Sequence, residues 1–389
     1  MSRNPAKKKF GEEAVKAEKP LAEKAIVGEE VFLDQALRPS RWDDYIGQKN
    51  IKENLRILLT AAAERKHPPE HILFYGPPGL GKTTLAHLIA KEIGAQIKVT
   101  SGPAIEKVGD LASVLTNLSP GDVLFIDEVH RLNKAIEEIL YPAMESGRLD
   151  IIIGKGPSAR TIQLELPPFT LIAATTRIAL LSSPLRSRFG GGVFRLEFYS
   201  NEEIEEIIKR SAKILGVEVE KTASHEIAKR SRFTPRTANY LLKRARDFAQ
   251  VHPPTNFTET SATAKRTANT SARFSSKNNS VNEIGGGVNR GKILMTKETV
   301  DKALVLLGID ELGLGHSDRA LLKTLIEKFG GGPASLNTLS AALSEEQSTI
   351  EDVHEPYLLQ LGLIERTPRG RTATAKAFEH LKGFRQTLI

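Results

Sequence analysis

The chain has 389 residues, of which 40% are hydrophobic and 26% charged, with a formal net charge of +8 and no cysteine. That length suits two or three domains with ample core, and the composition excludes a fibrous or wholly disordered chain. No run approaches the ~20 apolar residues of a membrane span, the N-terminal stretch has no secretory h-region, and without cysteine there are no disulfides, thiolate metal sites or Cys nucleophiles, so the cytoplasm is the expected location.

Residues 1–32, with Lys7-Lys8-Lys9 and interspersed glutamates, show no firm apolar period and are expected to be a disordered tail. From 33 to 201, strand-like and helix-like segments alternate. Residues 51–63 have helical spacing, 71–75 form a short apolar run ending at Gly76, and 83–93 are helical again. Strands are expected at 97–100, 122–126 and 169–173, with helices over 110–118 and 133–144. Continuous apolar strands alternating with helices predict an α/β core, a parallel sheet with helices on both faces. Between them, Asp150-Ile-Ile-Ile153 and residues 161–166 flank the turn Gly154-Lys-Gly-Pro157, predicting an exposed hairpin over 149–166. Three consecutive isoleucines cannot all be buried on one face of a strand, so Ile151 and Ile153 are offered as a contact surface, with a fully buried strand as the alternative.

Residues 202–309 read as a small helical lid, with helices over 202–215, 223–231, 236–250 and 296–307. The segment 252–290, with Pro253-Pro254, Gly285-Gly286-Gly287 and many Ser, Thr and Asn, buries too little apolar area to offset its ordering entropy, and is expected to be a disordered insertion. Residues 310–389 form a separate module. Helices over 316–329, 335–343 and 349–360 precede a hairpin of 363–366 and 371–374 about Pro368-Arg369-Gly370, the order of a winged helix.

The chemistry concentrates in Gly76-Pro-Pro-Gly-Leu-Gly-Lys-Thr83, which follows a strand and opens a helix. Glycines let such a loop wrap a phosphate, backbone N–H groups and the helix N-terminus supply positive potential, Lys82 reaches the β/γ-phosphates, and the Thr83 hydroxyl joins a Mg²⁺ shell. Four apolar residues then deliver Asp127 and Glu128 to the end of another strand. One carboxylate can hold Mg²⁺, directly or through water, and the next can orient or deprotonate the attacking water. Thr175-Thr176-Arg177 ends the following strand beside the expected γ-phosphate, Arg186 and Arg188 are candidate arginine fingers acting in trans, and Arg236 opens a lid helix where an anion would relieve its conflict with the helix dipole.

With those motifs in place, the chain resembles the RuvB family of AAA+ Holliday-junction branch-migration motors. The carrying stretches include Leu37-Arg-Pro39, Tyr45-Ile-Gly-Gln48, Thr100-Ser-Gly-Pro-Ala-Ile-Glu106, Gly154-Lys-Gly-Pro-Ser-Ala-Arg160 and Arg366-Thr-Pro-Arg-Gly-Arg371. The resemblance implies that Leu37 and Arg38 flank the adenine of ATP, that Gly79, Lys82, Thr83 and Thr84 bind its phosphates, and that Thr83 and, through water, Asp127 hold Mg²⁺. It implies Asp127 and Glu128 as the Walker B pair, a nucleotide-contacting turn at Glu145, Ser146 and Gly147, Arg188 as the arginine finger, Tyr199 and Arg236 closing the nucleotide site, and Arg366 and Arg371 on DNA phosphates. It further implies a homo-hexameric ring on the double-stranded arms of Holliday junctions, with RuvA bound through the 149–166 hairpin and RuvC in the same assembly. The chain departs from the family at the Glu145-Ser-Gly turn, at an extra residue in Gly190-Gly-Gly192 and at Phe233, where a Gly is customary.

The leading expectation is therefore an ATP-driven double-stranded DNA translocase. The runner-up is an AAA+ loader or remodeller acting on a protein, and the third is a transcription regulator without catalysis, against which Lys82 and Glu128 both argue. The wing separates the first two readings, because Arg366, Arg369 and Arg371 place positive charge on one short turn, suited to phosphate contact without sequence preference.

Overall fold

A computed structural model describes residues 33, 35–153, 160–252 and 293–387. The expected tail 1–32 lies outside the described residues, as does the expected insertion 252–290 apart from His252. The chain divides at Pro39; in the unit before it Leu37 is buried and Arg38 exposed, and the second unit runs from Ser40 to Ile389.

The ATPase portion is built on a parallel sheet. β1 (Ile72–Tyr75), β3 (Val123–Asp127) and β6 (Thr170–Thr175) are short, mostly apolar runs in which β-branched and aromatic residues alternate with Leu and Ala, nearly all of them buried. With β2 (Ile97–Ser101) and β7 (Gly192–Arg195) they pair in parallel in the order β2-β3-β6-β1-β7. The central strands are covered on both faces, while the edges leave Val99 and Val193 open. Successive strand residues alternate between faces. Phe74 thus joins Leu55, Leu85 and Phe125 under the helices Lys49–Glu64 and Lys82–Glu92, whereas Leu73 joins Leu111, Leu124 and Leu140 under Val108–Thr116 and Lys134–Ser146. Asn133 caps the last of these helices by accepting the Ile136 N–H, and Gly147 ends it in a left-handed conformation.

β4 (Arg148–Ile153) and β5 (Arg160–Glu165) form the expected antiparallel hairpin, with Ile151 opposite Ile162. Its apolar face is graded. Leu149 is fully buried, Leu164 and Ile151 pack half-buried against the ATPase core, and Ile162 is 43% exposed. Ile162, opposite Ile151 on the second strand, is the more exposed of that pair, while the side chain of Ile153, the other residue offered as a contact, lies outside the described residues. The turn 154–159 lies outside the described residues.

In the lid, Ser200 and Glu203 make a reciprocal capping box that starts the helix Asn201–Leu215. Helices Lys221–Lys229, Pro235–Val251 and Lys297–Leu306 complete it. The chain re-enters at β9 (Ile293–Met295), which pairs in parallel with β8 (Val217–Val219). The C-terminal module has helices His316–Glu327 and Leu336–Leu343, then a helical stretch with a π-turn at Ile350–His354 that continues as Glu355–Gln360. The antiparallel wing of β10 (Ile364–Thr367) and β11 (Gly370–Ala373) follows, then a further helix, Ala375–Thr387. Leu321, Leu325, Leu339, Leu358 and Ile364 form its core. Among the described residues no helix is long and apolar enough to cross a membrane.

Candidate nucleotide site and wing

The phosphate loop leaves β1 and turns at Gly79 and Gly81, whose φ values of +82° and +98° lie in the left-handed region. A Cβ on Gly81 would come within 2.9 Å of the Tyr45 hydroxyl, and one on Gly79 within 3.1 Å of Arg236 Cβ. The loop is therefore held from below by tyrosines and faced from above by the lid. Lys82 is 8% exposed, and its Nζ donates to the carbonyls of Gly76 and Pro77 at 2.8 and 2.9 Å. Burial pulls the Lys82 ammonium down to about 8 against the upward pull of Asp127 and Glu128, with Arg236 adding to the fall. Thr83 and Thr84 follow in the first helical turn, both half-buried.

Thr83 Oγ1 lies 3.5 Å from Asp127 Oδ2, and Asp127 Oδ1 accepts the Glu128 N–H at 2.9 Å. A hydroxyl and a carboxylate thus face one space beside the loop, a hard-oxygen pair that fits a small divalent cation otherwise held by water and phosphate. Among the described residues no cluster of three or more His, Cys, Asp or Glu offers a dedicated metal cage. Glu128 follows Asp127 in a left-handed turn, φ +50°, with His130 beside its carboxylate.

Tyr199, expected to close the nucleotide site, lies beneath the phosphate loop. It is buried, with its hydroxyl 3.2 Å from both Tyr45 Oη and the Leu80 carbonyl, and burial raises it to about 12. Its contact is thus with the loop backbone. Arg236 is exposed on the first turn of Pro235–Val251, its backbone N–H directed at the Gly79 carbonyl at 3.4 Å. Phe233 does not disturb that start. It takes up φ +55°, and its ring lies 5.9 Å from Tyr357 and 6.4 Å from Phe198, while Thr234 still caps the helix.

Glu145, Ser146, Gly147 and Arg188 gather at the other end of the sheet. Arg188 pairs with Glu145 at 3.1 Å, donates to the Pro184 carbonyl at 2.7 Å and lies over the Tyr141 ring at 4.6 Å. His71, which leads into β1, contacts the Met144 carbonyl at 3.1 Å and accepts Gly191 N–H at its own carbonyl. The phosphate loop leaves β1 from the opposite end, about 13 Å away for a four-residue strand. The extra glycine is accommodated there, since a Cβ on Gly190 or Gly191 would collide with Glu70 at 2.6 Å. Arg186 is exposed beside this cluster. Leu37 and Arg38 belong to the separate N-terminal unit.

On the wing, Arg366 and Arg371 both fork onto Glu355, which is wholly buried, with N–O distances of 2.7–3.0 Å. Arg371 is only 17% exposed in its side chain, whereas Arg366 keeps 51%. Arg369, at the turn between them, is exposed. His130 and Glu355 were given no role by sequence reasoning, and Tyr45 entered it only within the Tyr45-Ile-Gly-Gln48 stretch. Only His130, three residues after Asp127, stood close enough in the chain to be noticed.

Comparison with known proteins follows this layout. Residues 37–195 match the family model of the Holliday junction DNA helicase RuvB P-loop domain, 199–269 that of the RuvB AAA lid domain and 311–382 that of the RuvB C-terminal winged helix domain. A protein of Dehalococcoides mccartyi (strain CBDB1), called Holliday junction branch migration complex subunit RuvB, is 52% identical over 356 residues, 92% of this chain and 91% of that protein. The solved structure of the Thermotoga maritima RuvB Holliday junction branch migration motor is 46% identical and superposes with a TM-score of 0.73, covering 89% of this chain and 98% of that one. A single-residue variant of that protein superposes at 0.74 with the same identity and coverage.

Proposed function

The chain belongs to the RuvB family, and from that premise we infer that it is an ATP-hydrolysing motor that drives branch migration of Holliday junctions. The observation that carries this reading is the convergence of Lys82, Thr83, Asp127 and Glu128 around one phosphate loop in a chain that also carries a winged helix. Lys82 neutralises phosphate charge, and Glu128 orients the attacking water and takes its proton. Thr83 and, through water, Asp127 would hold Mg²⁺, which would neutralise phosphate charge there. Arg236 approaches the phosphates from the lid, and Leu37 and Arg38 flank the adenine.

A homo-hexameric ring accounts for Arg188. Within one chain it sits a strand's length from Lys82, so its charge serves a neighbour's ATP, with Glu145, Ser146 and Gly147 on the same edge. Double-stranded junction arms bind through the wing, with Arg366 and the exposed Arg369 presenting charge while Arg371 braces Glu355. RuvA docks on the β4–β5 hairpin through the apolar face that ends in Ile162, and RuvC joins the same assembly; the location is the cytoplasm. A protein remodeller is the weaker reading, because the C-terminal module matches the RuvB winged helix.

The test is ATP turnover and four-way-junction migration by the purified chain, with and without duplex DNA, across a salt series. Turnover that rises with duplex and fades with salt is expected, as is a Glu128→Gln variant that binds ATP but does not turn over. Near-normal turnover in that variant removes Glu128 from the reaction, and a junction left unmoved with its partner protein present overturns the motor reading.

A further inference from the structure

Glu128 is the first member of a polar path that leaves the nucleotide site. Its Oε2 lies 3.4 Å from Nε2 of His130, whose side chain is 8% exposed. The other ring nitrogen, Nδ1, lies 2.9 Å from Oγ1 of Thr175, a fully buried residue at the end of β6. That same Oγ1 accepts the backbone N–H of Arg177 at 3.0 Å. When the single proton of that hydroxyl is given to Nδ1, the imidazole carries its own hydrogen on Nε2, toward Glu128. Burial lowers the His130 pKa despite the neighbouring carboxylate, which keeps the ring in the neutral form this pattern requires.

Beyond Thr175 the path crosses into the C-terminal module. Arg177 Nε donates to Asp352 Oδ1 at 2.8 Å, and its guanidinium lies 3.8 Å from Glu351 Oε2. Both acids sit in the π-turn Ile350–His354, immediately before Glu355, which anchors the two wing arginines. A π-turn is a local departure from regular helix that recurs at functional positions. Glu128 is thus linked to Asp352 by successive polar contacts, and Asp352 to Glu355 and its two wing arginines by the backbone of the π-turn.

We propose that His130 is a positioning residue for Glu128, and that Thr175, Arg177 and Asp352 carry the posture of the winged helix to it, so that duplex DNA on the wing sets the rate of ATP turnover. The proposal rests on the motor reading above. It requires that breaking the far end of the path, which touches neither nucleotide nor DNA, uncouples the two activities while leaving each intact.

Steady-state ATP turnover, with and without duplex DNA, and duplex affinity are measured for the wild type, the double variant Glu351→Ala with Asp352→Ala, His130→Ala and His130→Gln. Glu351 and Asp352 are 42% and 36% exposed in their side chains, so the double variant retains its fold. It is expected to keep the basal kcat, the KM for ATP and the duplex affinity within about twofold, and to lose the DNA-dependent rise. His130→Ala is expected to lower kcat about tenfold at unchanged KM, and His130→Gln, whose amide N–H stands near the lost Nε2–H, to recover most of the basal rate. A double variant stimulated like the wild type overturns the coupling, and His130→Gln no better than His130→Ala overturns the positioning role. A wild type indifferent to duplex DNA overturns the coupling together with the motor reading, which separates the two failures.

Discussion

Lys82 illustrates how a side chain's surroundings set its use. Its ammonium is enclosed and held by two loop carbonyls, and burial brings it down to about 8. Phosphate oxygens favour the charged form, so nucleotide binding raises that value toward an ordinary lysine's and takes up a proton. The sign follows: affinity is flat below about 8 and falls as pH rises past it, by up to about tenfold per pH unit. Titration calorimetry in buffers of different ionisation enthalpy at pH 8.5 is expected to show proton uptake on ATP binding; a pH-independent affinity up to 9.5 would mean that Lys82 does not face the phosphates. Lys82, Thr83, Asp127 and Glu128 were legible in the sequence because each pair is fixed by a short string whose spacing has one mechanical meaning. The partners of Arg188, Arg366 and Arg371 were not, since Glu145 and Glu355 reach them only through the fold, and a lone arginine carries no sign of which acid it will meet.

At the scale of elements, the wing is held by one buried acid. Burial raises the Glu355 carboxyl, but the hydrogen bonds from Arg371 and Arg366 outweigh it and hold it below the ordinary carboxylate value. A depressed carboxylate contributes stability above its unfolded value and loses it as pH falls through the folded one. Glu355→Gln is therefore expected to destabilise the C-terminal module by about 3 kcal/mol at neutral pH, in the range for breaking a buried charge pair, with the difference from wild type shrinking in acid. Urea unfolding at pH 7 and pH 4 measures it, and a difference that does not change with pH assigns the loss to packing rather than charge. The wing's strands and helices were legible from periodicity and from the Pro368-Arg-Gly370 turn. β7, β9 and the final helix Ala375–Thr387 went unread. β7 and β9 are too short to show a period and owe their pairing to β1 and β8, whereas the last helix does carry helical spacing at Ala377, Phe378, Leu381 and Phe384, a signal passed over once the wing hairpin had been read.

For the whole molecule, the separation of Arg188 from Lys82 along the sheet carries the argument about assembly. On the proposed reading, an arginine at one end of the strands and a phosphate loop at the other would leave each chain with half of two sites, which a head-to-tail interface would join and, repeated, close into a ring. Arg188→Ala is expected to bind ATP with nearly wild-type affinity yet hydrolyse it at least about 10³-fold more slowly, since an arginine supplied in trans acts mainly on transition-state charge. Lys82→Ala is expected to fail at nucleotide binding itself. Mixing the two inactive variants places some intact loops opposite an intact Arg188, so a fraction of the turnover returns. In an equimolar random mixture a given interface has one arrangement in four that is complete, and recovery is expected to approach that fraction of the wild-type rate, scaled by any need for active neighbours. Mass photometry of the mixture establishes that mixed assemblies form. Assemblies that form without any recovered hydrolysis place Arg188 outside the neighbour's site, and hydrolysis that persists in Arg188→Ala alone does the same without any mixing.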